Sequence, residues 1–325
     1  MLPRYCGRLF EKGDCIMKKF LTLLLALAMT LSLAACGSDS TEETEGTDGT
    51  EAETVDYTAM SDDELKAAIT TVSEGTLTVA TSPDFAPYEF YAIGEDGQAT
   101  LAGFEMSLAQ YIADYLGLEL EVVPMDFDGT LMELQNKSVD LGMAGYSPKP
   151  ERENIMDFSD IFYTGGQSFV TTQDKADLFT SLEDTNKAEY SIGAQTGSIQ
   201  VDLAQTNSPD AELIQLPKVT DVITDLLAGN LDGAYIETVV AETYAKNYPE
   251  LNVLLDVPYE QEGSVVGVSK GNAALLEGVN RAIAAALEDG TMDEFITQAN
   301  ELASGETYEG LLDENGQGAE TPAEG

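Results

Sequence analysis

The 325-residue sequence contains no histidine. That absence excludes a histidine-based catalytic triad, a histidine general base and a histidine-ligated zinc site. Cysteine is nearly absent as well, because Cys6, Cys15 and Cys36 are the only three and all lie within the first 36 residues. The chain beyond residue 36 therefore has no cysteine from which an internal disulfide could form.

Basic residues are scarce. The sequence has 15 lysines and arginines against 59 aspartates and glutamates, which gives a formal net charge of −44. Such a surface repels nucleic acid and anionic lipid head groups, so we expect no nucleic-acid partner. The net charge describes the surface as a whole and does not identify a ligand.

The amino-terminal residues have the layout of a secretory signal. Lys18 and Lys19 precede an apolar run over residues 20–34, and Leu-Ala-Ala stands directly before Cys36. A basic segment, a short apolar run and a small-residue cleavage site predict a signal peptide over residues 1–35. The apolar run is shorter than the roughly 20 residues of a transmembrane helix.

The residues around Cys36 resemble the lipobox of bacterial lipoproteins, in which the cysteine is lipidated and becomes the first residue. The alternative is an ordinary signal peptide with an incidental cysteine. Because Met17 stands just before the two lysines, residues 1–16 are a candidate for sequence upstream of the true start.

Two acidic segments flank the central part of the chain. Residues 36–60 are rich in Ser, Thr, Glu and Gly, and residues 306–325 carry acids and no base. Segments with high net charge and little apolar surface do not form a core. We therefore expect a disordered, lipid-anchored linker over residues 36–60 and a disordered tail over 306–325.

The central part alternates between strand and helix patterns. Strands are predicted over residues 75–81, 120–125, 139–144, 168–172, 190–194, 212–216, 232–236 and 265–268. Helices are predicted over residues 108–116, 130–135, 198–205, 219–227, 238–246 and 276–287. This alternation favours an α/β fold with mostly parallel sheets, which bind ligands outside the carboxyl ends of their strands.

One segment of the central part presents an arginine at such a strand end. The predicted strand over residues 139–144 leads into a Gly-Tyr-Ser turn and a proline-rich loop that carries Arg152. An arginine beside a hydroxyl and free backbone amides suits bidentate capture of a carboxylate. The alternative is a surface arginine paired with one of the many acids.

Five segments, over residues 78–90, 103–118, 139–158, 193–200 and 230–242, resemble the extracellular solute-binding proteins of polar amino acid ABC importers. They occur in the order and spacing of that family. The resemblance implies a two-lobe, periplasmic-binding-protein-like (type II) fold with mixed, mostly parallel sheets and a two-strand hinge. It implies a first lobe over residues 75–168 and 263–305, and a second lobe over 169–262.

The resemblance also implies which residues bind the carboxylate of an amino acid. Arg152 would hold the α-carboxylate, assisted by the backbone amide of Ser147. From the second lobe, the backbone amides of Ser198 and Ile199 would add donors at the start of a helix, a geometry that attracts anions.

The remaining site residues implied by the resemblance surround the rest of the ligand. Glu237, where the family usually has aspartate, would pair with the α-ammonium together with the Gly145 carbonyl and the Ser147 hydroxyl. Phe85 and Phe127 would form the walls, and Ser82 and Gln195 match positions near the ligand side chain.

Each assignment has a structural alternative. Phe85 and Phe127 fit an apolar core equally well, and Glu237 fits a helix amino terminus as a favourable charge. Gly145 fits an ordinary turn. Glu105 differs from the family's aspartate and is interpreted as a helix-capping charge. Tyr88 and Tyr146 fit either the cleft or the core.

The leading hypothesis is a monomeric extracytoplasmic receptor, anchored to the cell membrane by lipidated Cys36, that delivers a free amino acid to the membrane subunits of an ABC importer. No enzymatic activity, cofactor or metal ion is expected. The alternatives are a cyclohexadienyl-dehydratase-like enzyme on the same fold and a ligand-sensing receptor for signalling. Ser82 and Gln195 favour a polar or small uncharged ligand, cystine-like or glutamine-like.

Overall fold

The computed structural model describes residues 55–94, 97–260 and 263–305. The predicted signal peptide, Cys36, the linker as far as residue 54 and the acidic tail lie outside the described residues. Within the described part, no helix is long and apolar enough to cross a membrane, and no group of acidic side chains is arranged to hold a metal ion.

The first sheet has five strands in the order β5-β1-β6-β13-β7. Strand β1 pairs in parallel with β5 and β6, whereas β13 runs antiparallel to β6 and β7. The strands are β1 (Thr76–Thr81), β5 (Glu119–Pro124), β6 (Leu141–Gly142), β7 (Met156–Phe158) and β13 (Gly267–Ser269).

The second sheet has the order β10-β9-β11-β8-β12. Strand β9 pairs in parallel with β10 and β11, and β8 runs antiparallel to β11 and β12. The strands are β8 (Gln167–Thr172), β9 (Ser191–Gln195), β10 (Glu212–Leu216), β11 (Gly233–Glu237) and β12 (Leu251–Asp256). Both five-stranded sheets are mixed, as expected from the sequence.

A third sheet has three antiparallel strands. It consists of β2 (Asp84–Phe85), β3 (Glu89–Ile93) and β4 (Ala99–Ala102). Its strands pair Phe85 with Glu89, which places a buried aromatic residue next to a buried carboxyl group.

Helices cover each five-stranded sheet and bury its apolar side chains. The first lobe, built on the first sheet, has α1 (Asp62–Ala68), α2 (Phe104–Leu116), α3 (Phe127–Asn136), α7 (Ala273–Glu288) and α8 (Thr291–Ala303). The second lobe, built on the second sheet, has α4 (Ile199–Asn207), α5 (Val219–Leu227) and α6 (Thr238–Asn247). Helix α2 ends where Gly117 adopts a left-handed conformation (φ 75°), as its sequence position predicts.

Two chain segments connect the lobes, one between β7 and β8 and the other between β12 and β13. They pair with each other at an antiparallel bridge between Tyr163 and Ser264. Paired connections of this kind form a two-strand hinge, about which two rigid lobes can close.

Several predicted elements differ from those observed. The strand predicted over residues 139–144 is reduced to Leu141–Gly142, because the chain turns at once toward the cavity. The three-stranded sheet, β7, β12 and α8 were not predicted at all.

The linker predicted over residues 36–60 extends too far at its carboxyl end. Tyr57–Ala59 form a 3-10 helix, and Arg281 donates hydrogen bonds to the carbonyl oxygens of Tyr57 (3.1 Å) and Thr58 (3.3 Å). An arginine more than 200 residues away in the sequence thus fixes a segment whose composition indicated disorder.

Candidate functional site

A narrow cavity lies between the carboxyl ends of strands from the two lobes. The volume that water can occupy in it is about 10 Å³, roughly the space of one molecule, so the cleft is closed. Its walls are Phe85, Phe127, Ala144, Gly145, Ser147 and Arg152 from the first lobe, and Gln195, Ser198, Ile199 and Gln200 from the second.

Arg152 is buried in this cavity and only 5% exposed. Its Nη1 donates to the carbonyl oxygen of Ser147 (3.3 Å), and its Nη2 donates across the cleft to the carbonyl oxygen of Gly197 (3.0 Å). The guanidinium carbon lies 5.5 Å from the centre of the Phe127 ring and 5.7 Å from that of Tyr146, within the range of cation–π attraction.

The charge of Arg152 has no ionic partner in the described part of the chain, where no carboxylate lies within 4 Å of the guanidinium. Burial lowers the pKa of Arg152 from its usual value. A buried cation with only neutral hydrogen-bond partners is costly unless an anion joins it, so the site is suited to receive one.

The amino terminus of α4 forms the facing wall. Ser198 is its N-cap residue, but no side chain caps the helix, since the Ser198 hydroxyl donates to the Gln195 carbonyl (2.7 Å). The first amides of an α-helix have no intrahelical acceptor. Those of Ile199 and Gln200 therefore add hydrogen-bond donors to the cavity that holds Arg152, as at other anion-binding helix termini.

Gly145 and Phe85 pack tightly on the first-lobe side. Gly145 has a positive φ of 61°, and a Cβ atom added there would lie 2.6 Å from Phe85 Cε1. This position requires glycine both for its backbone conformation and for the closeness of the ring.

Eight of the ten predicted ligand-binding residues are thus brought together around one cavity. Glu237 and Ser82 are not among its lining residues. Glu237 ends β11 and caps α6: its Oε2 accepts from the Val240 amide (2.9 Å), and its Oε1 accepts from the Tyr88 hydroxyl (3.3 Å). Burial raises the pKa of Glu237 to about 7. The role of Glu237 toward a ligand ammonium stays a prediction.

The Ser82 hydroxyl is bonded to Asp84, a residue that the sequence did not single out. The Ser82 hydroxyl donates to Asp84 Oδ1 (2.6 Å). Asp84 Oδ2 accepts from two second-lobe groups, the backbone amide of Val219 (2.5 Å) and Nε2 of Gln195 (3.1 Å). Asp84 therefore joins the two lobes through hydrogen bonds in the closed arrangement. Burial raises the pKa of Asp84 to about 6.

Ala144 and Gln200 are the lining residues that sequence reasoning missed. Ala144 directly precedes Gly145, and Gln200 directly follows Ile199. Their positions next to predicted site residues were the signal that could have identified them. Tyr88 and Tyr146 are 1% and 0% exposed and do not line the cavity, so they belong to its surrounding packing.

Two lysine–aspartate pairs also cross the cleft. Lys149 of the first lobe pairs with Asp202 on α4, and Lys218 of the second lobe lies 3.8 Å from Asp126. Together with Asp84 and Arg152, these pairs show that the closed arrangement is stabilised by polar contacts made between the lobes.

Comparison with known proteins identifies the family. The model of the bacterial extracellular solute-binding proteins, family 3, matches residues 77–299. The chain belongs to this family. It is 30% identical over 281 residues to the arginine-binding extracellular protein ArtP of Bacillus subtilis, which covers 85% of the chain and 96% of ArtP.

A solved structure from this family has the same fold. The amino acid ABC transporter substrate-binding protein AbpA of Streptococcus pneumoniae, bound to L-arginine, superimposes with a TM-score of 0.69 at 31% identity. The superposition covers 75% of the chain and all of AbpA. The predicted type II fold is thereby confirmed.

An enzyme is among the weaker matches. Cyclohexadienyl dehydratase of Pseudomonas aeruginosa is 26% identical over 180 residues, which cover 55% of the chain and 66% of the dehydratase. The solute-binding protein ArtP matches over a longer stretch, and the matching family model is that of solute-binding proteins.

Proposed function

We propose that this chain captures a free amino acid in the cleft between its lobes and delivers it to the membrane subunits of an ABC importer. The observation that carries the proposal is Arg152, a buried guanidinium whose hydrogen-bond partners are the neutral carbonyls of Ser147 and Gly197. A carboxylate that enters the opened cleft would replace one or both carbonyls and provide the missing negative charge.

The carboxylate would be held from both lobes. Arg152 and the Ser147 amide would contact it from the first lobe, and the amides of Ser198 and Ile199 would contact it from the start of α4. Because these donors belong to different lobes, a bound carboxylate favours the closed arrangement over the open one, and binding drives closure.

The α-ammonium is assigned to Glu237, with the Gly145 carbonyl and the Ser147 hydroxyl as further acceptors. The Glu237 carboxyl already accepts hydrogen bonds from Val240 and Tyr88, which favour its ionised form against the effect of burial. An ammonium group would favour that form further. Phe85 and Phe127 would exclude water from the apolar part of the ligand.

L-arginine, named for ArtP and for the AbpA complex, is the first ligand to test. The polar uncharged amino acids, including glutamine and cystine, come next because Ser82 and Gln195 are uncharged.

The assembly around the binding protein is part of the proposal. We infer a first lobe over residues 75–168 and 263–305, a second lobe over 169–262, and a monomer attached to the outer face of the cell membrane through lipidated Cys36. The excess of acidic residues keeps such a protein soluble and away from an anionic envelope.

Arg152→Gln tests the binding site. Titration calorimetry with the amino acid that gives the largest thermal shift in a screen is expected to show at least a hundredfold loss of affinity, because the carboxylate loses a buried ionic partner. Arg281→Gln is the matched control, since Arg281 makes its ion pairs with Asp62 and Glu277 on the surface of the first lobe. Equal affinity in both variants would refute the proposed site.

Cys36→Ser tests the anchor. The variant is expected to bind the same amino acid with unchanged affinity but to appear in the soluble fraction, because a lipid chain no longer attaches it to the membrane. Continued membrane association of Cys36→Ser after a high-salt wash would contradict the anchor and leave the amino acid site unaffected.

A further inference from the structure

Two aromatic rings form a corner beside the guanidinium of Arg152. The guanidinium carbon lies 5.5 Å from the centre of the Phe127 ring and 5.7 Å from the centre of the Tyr146 ring. The planes of the two rings are nearly perpendicular (86°), and their centres are 5.6 Å apart. Because a guanidinium is attracted to aromatic rings at such distances, the position of the rings determines where the buried cation is most stable.

A chain of two hydrogen bonds through Thr130 links these rings. The Tyr146 hydroxyl donates to Thr130 Oγ1 (2.5 Å), and the Thr130 hydroxyl donates to the backbone carbonyl of Phe127 (2.5 Å). Thr130 lies on α3, whose first residue is Phe127. Thr130 and Tyr146 are both 0% exposed. Thr130 does not line the cavity, so any effect that it has on Arg152 passes through the rings.

The Tyr146 ring packs on two glycines of the first sheet. Gly142 of β6 and Gly267 of β13 pair with each other. A Cβ atom added to Gly142 would lie 2.8 Å from Cε2 of Tyr146, and one added to Gly267 would lie 3.0 Å from the same atom. The backbone carbonyl of Tyr146 accepts from the Val265 amide (2.9 Å). The sheet thus supports the ring and its backbone, and the bond to Thr130 fixes the hydroxyl end.

We propose that Thr130 is a positioning residue, which holds Tyr146 and Phe127 in the arrangement that keeps Arg152 in place for the ligand carboxylate. This inference rests on the proposed function, since it concerns how the guanidinium is held for that carboxylate. Removal of the Thr130 hydroxyl alone leaves the buried Tyr146 hydroxyl without its acceptor, which is unfavourable unless the ring moves to another partner. Such a movement displaces the aromatic corner from Arg152.

Thr130→Val tests the inference, because valine has nearly the shape of threonine but no hydroxyl group. The probes are the tightest-binding amino acid of a twenty-member panel and its α-carboxamide, which differ in whether Arg152 meets an anion. Calorimetry with the full chain measures both affinities, the weaker one by competition. Thr130→Val is expected to weaken binding of the free acid at least tenfold, and to reduce the preference for the acid over the amide at least fivefold.

Thr185→Val is the matched control in the second lobe. Thr185 is also 0% exposed, donates to the carbonyl three residues before it (Leu182, 2.7 Å) and shares a hydrogen bond with the buried hydroxyl of Tyr235 (3.2 Å). It does not line the cavity. Thr185→Val is expected to lower the melting temperature and to leave the acid-to-amide ratio within twofold of the wild type. Thr130→Ser, which keeps the hydroxyl, is expected to retain the wild-type ratio as well.

A merely structural role of Thr130 would lower the melting temperature of Thr130→Val and leave the acid-to-amide ratio unchanged, and that result would refute the positioning. An equal fall of the ratio in Thr185→Val would refute it too, since the ratio would then report a general loss of packing. If Thr130→Val does not fold, Tyr146→Phe replaces it, because phenylalanine keeps the ring and removes the bond to Thr130. Its ratio is expected to fall at least threefold, and an unchanged ratio would overturn the inference. Absence of binding to every amino acid by the wild type would overturn the proposed function as well.

Discussion

The backbone amide of Gly145 donates a hydrogen bond to Glu105 Oε1 at 3.1 Å. This bond joins the cavity wall to a carboxyl group that is 0% exposed. Glu89, also 0% exposed, lies beside Glu105, and neither of its carboxyl oxygens has a donor, nor does Glu105 Oε2. Burial and the repulsion between the two charges disfavour ionisation of both carboxyl groups, so the pair holds a proton.

The Glu89–Glu105 pair makes folding stability depend on pH. Burial, followed by the charge of Glu105, raises the pKa of Glu89 well above its usual range, and burial raises the pKa of Glu105 to about 7. The folded protein therefore binds protons that the unfolded chain releases above its ordinary carboxyl pKa near 4.5. By linkage, the free energy of unfolding falls as the pH rises from about 4.5 to 7.

Glu89→Gln is expected to reduce the decrease in the free energy of unfolding between low and neutral pH by at least about 1 kcal/mol. The reason is that the glutamine amide donates to Glu105 without needing a proton. Some fall remains, since the pKa values of Asp84 and Glu237 are raised as well. Urea unfolding at pH 5 and pH 7.5 measures this change in the free energy of unfolding. Glu121→Gln, at an exposed residue of β5, is the control. An identical pH dependence in Glu89→Gln and the wild type would contradict the shared proton.

Gly145→Ala is expected to block the cavity. The added Cβ meets Phe85 at 2.6 Å, so the ring must move into the space of the ligand, and affinity falls at least tenfold. Gly229→Ala is the matched control, since its φ of 78° is equally strained but nothing lies within 4 Å of the added atom. Both variants lose about 1 kcal/mol of folding stability. Equal ligand affinities by calorimetry would show that crowding at Phe85 is unimportant.

The sequence predicted much of the cavity because local motifs determine it. Gly145, Ser147 and Arg152 follow a single short strand, and Ser198 and Ile199 start a helix directly after β9. Residues so close in sequence occupy neighbouring positions whatever the rest of the chain does. Strand–helix periodicity likewise predicted eight of the ten strands in the two five-stranded sheets, all but β7 and β12. Among them β8 and β11 are buried along their whole length and therefore on both faces.

What the sequence did not predict depends on contacts between distant segments. The direction of the Ser82 hydroxyl is set by Asp84, and Asp84 in turn bonds to Val219, 135 residues further along the chain. The Glu237 carboxyl group accepts hydrogen bonds from the Val240 amide of the helix that it caps and from the hydroxyl of Tyr88, 149 residues away. Neither periodicity nor composition contains such pairings, so these contacts became visible only in the structure.

The pair between Lys149 and Asp202 is expected to favour closure. It joins the two lobes, so opening breaks it, and Lys149→Gln weakens ligand affinity by less than tenfold, as is usual for partly exposed ion pairs. Because salt screens such a pair, the difference from the wild type shrinks in 0.5 M NaCl. Lys270→Gln serves as control, since Lys270 pairs with Asp157 inside the first lobe. A salt-independent difference would mean that the pair does not act through charge.

Asp140→Asn is expected to destabilise the first lobe without changing ligand binding. The Asp140 carboxylate is 1% exposed and accepts from the Val72 amide (2.7 Å), the Thr78 amide (2.9 Å) and the Thr78 hydroxyl (2.6 Å). Asparagine places a donor against one of these donors, which costs about 1–3 kcal/mol of the free energy of unfolding.

Asp140 precedes β6, whereas the cavity residues follow it, so the carboxylate lies at the amino end of the strand and away from the site. Chemical denaturation therefore measures the loss of stability, and calorimetry below the unfolding transition is expected to give a Kd within twofold of the wild type. Asp63→Asn, at an exposed position of α1, controls for the change of charge. A tenfold weaker Kd in Asp140→Asn would mean that strain at one end of β6 reaches Gly145 at the other, and that binding and stability of this lobe cannot be separated.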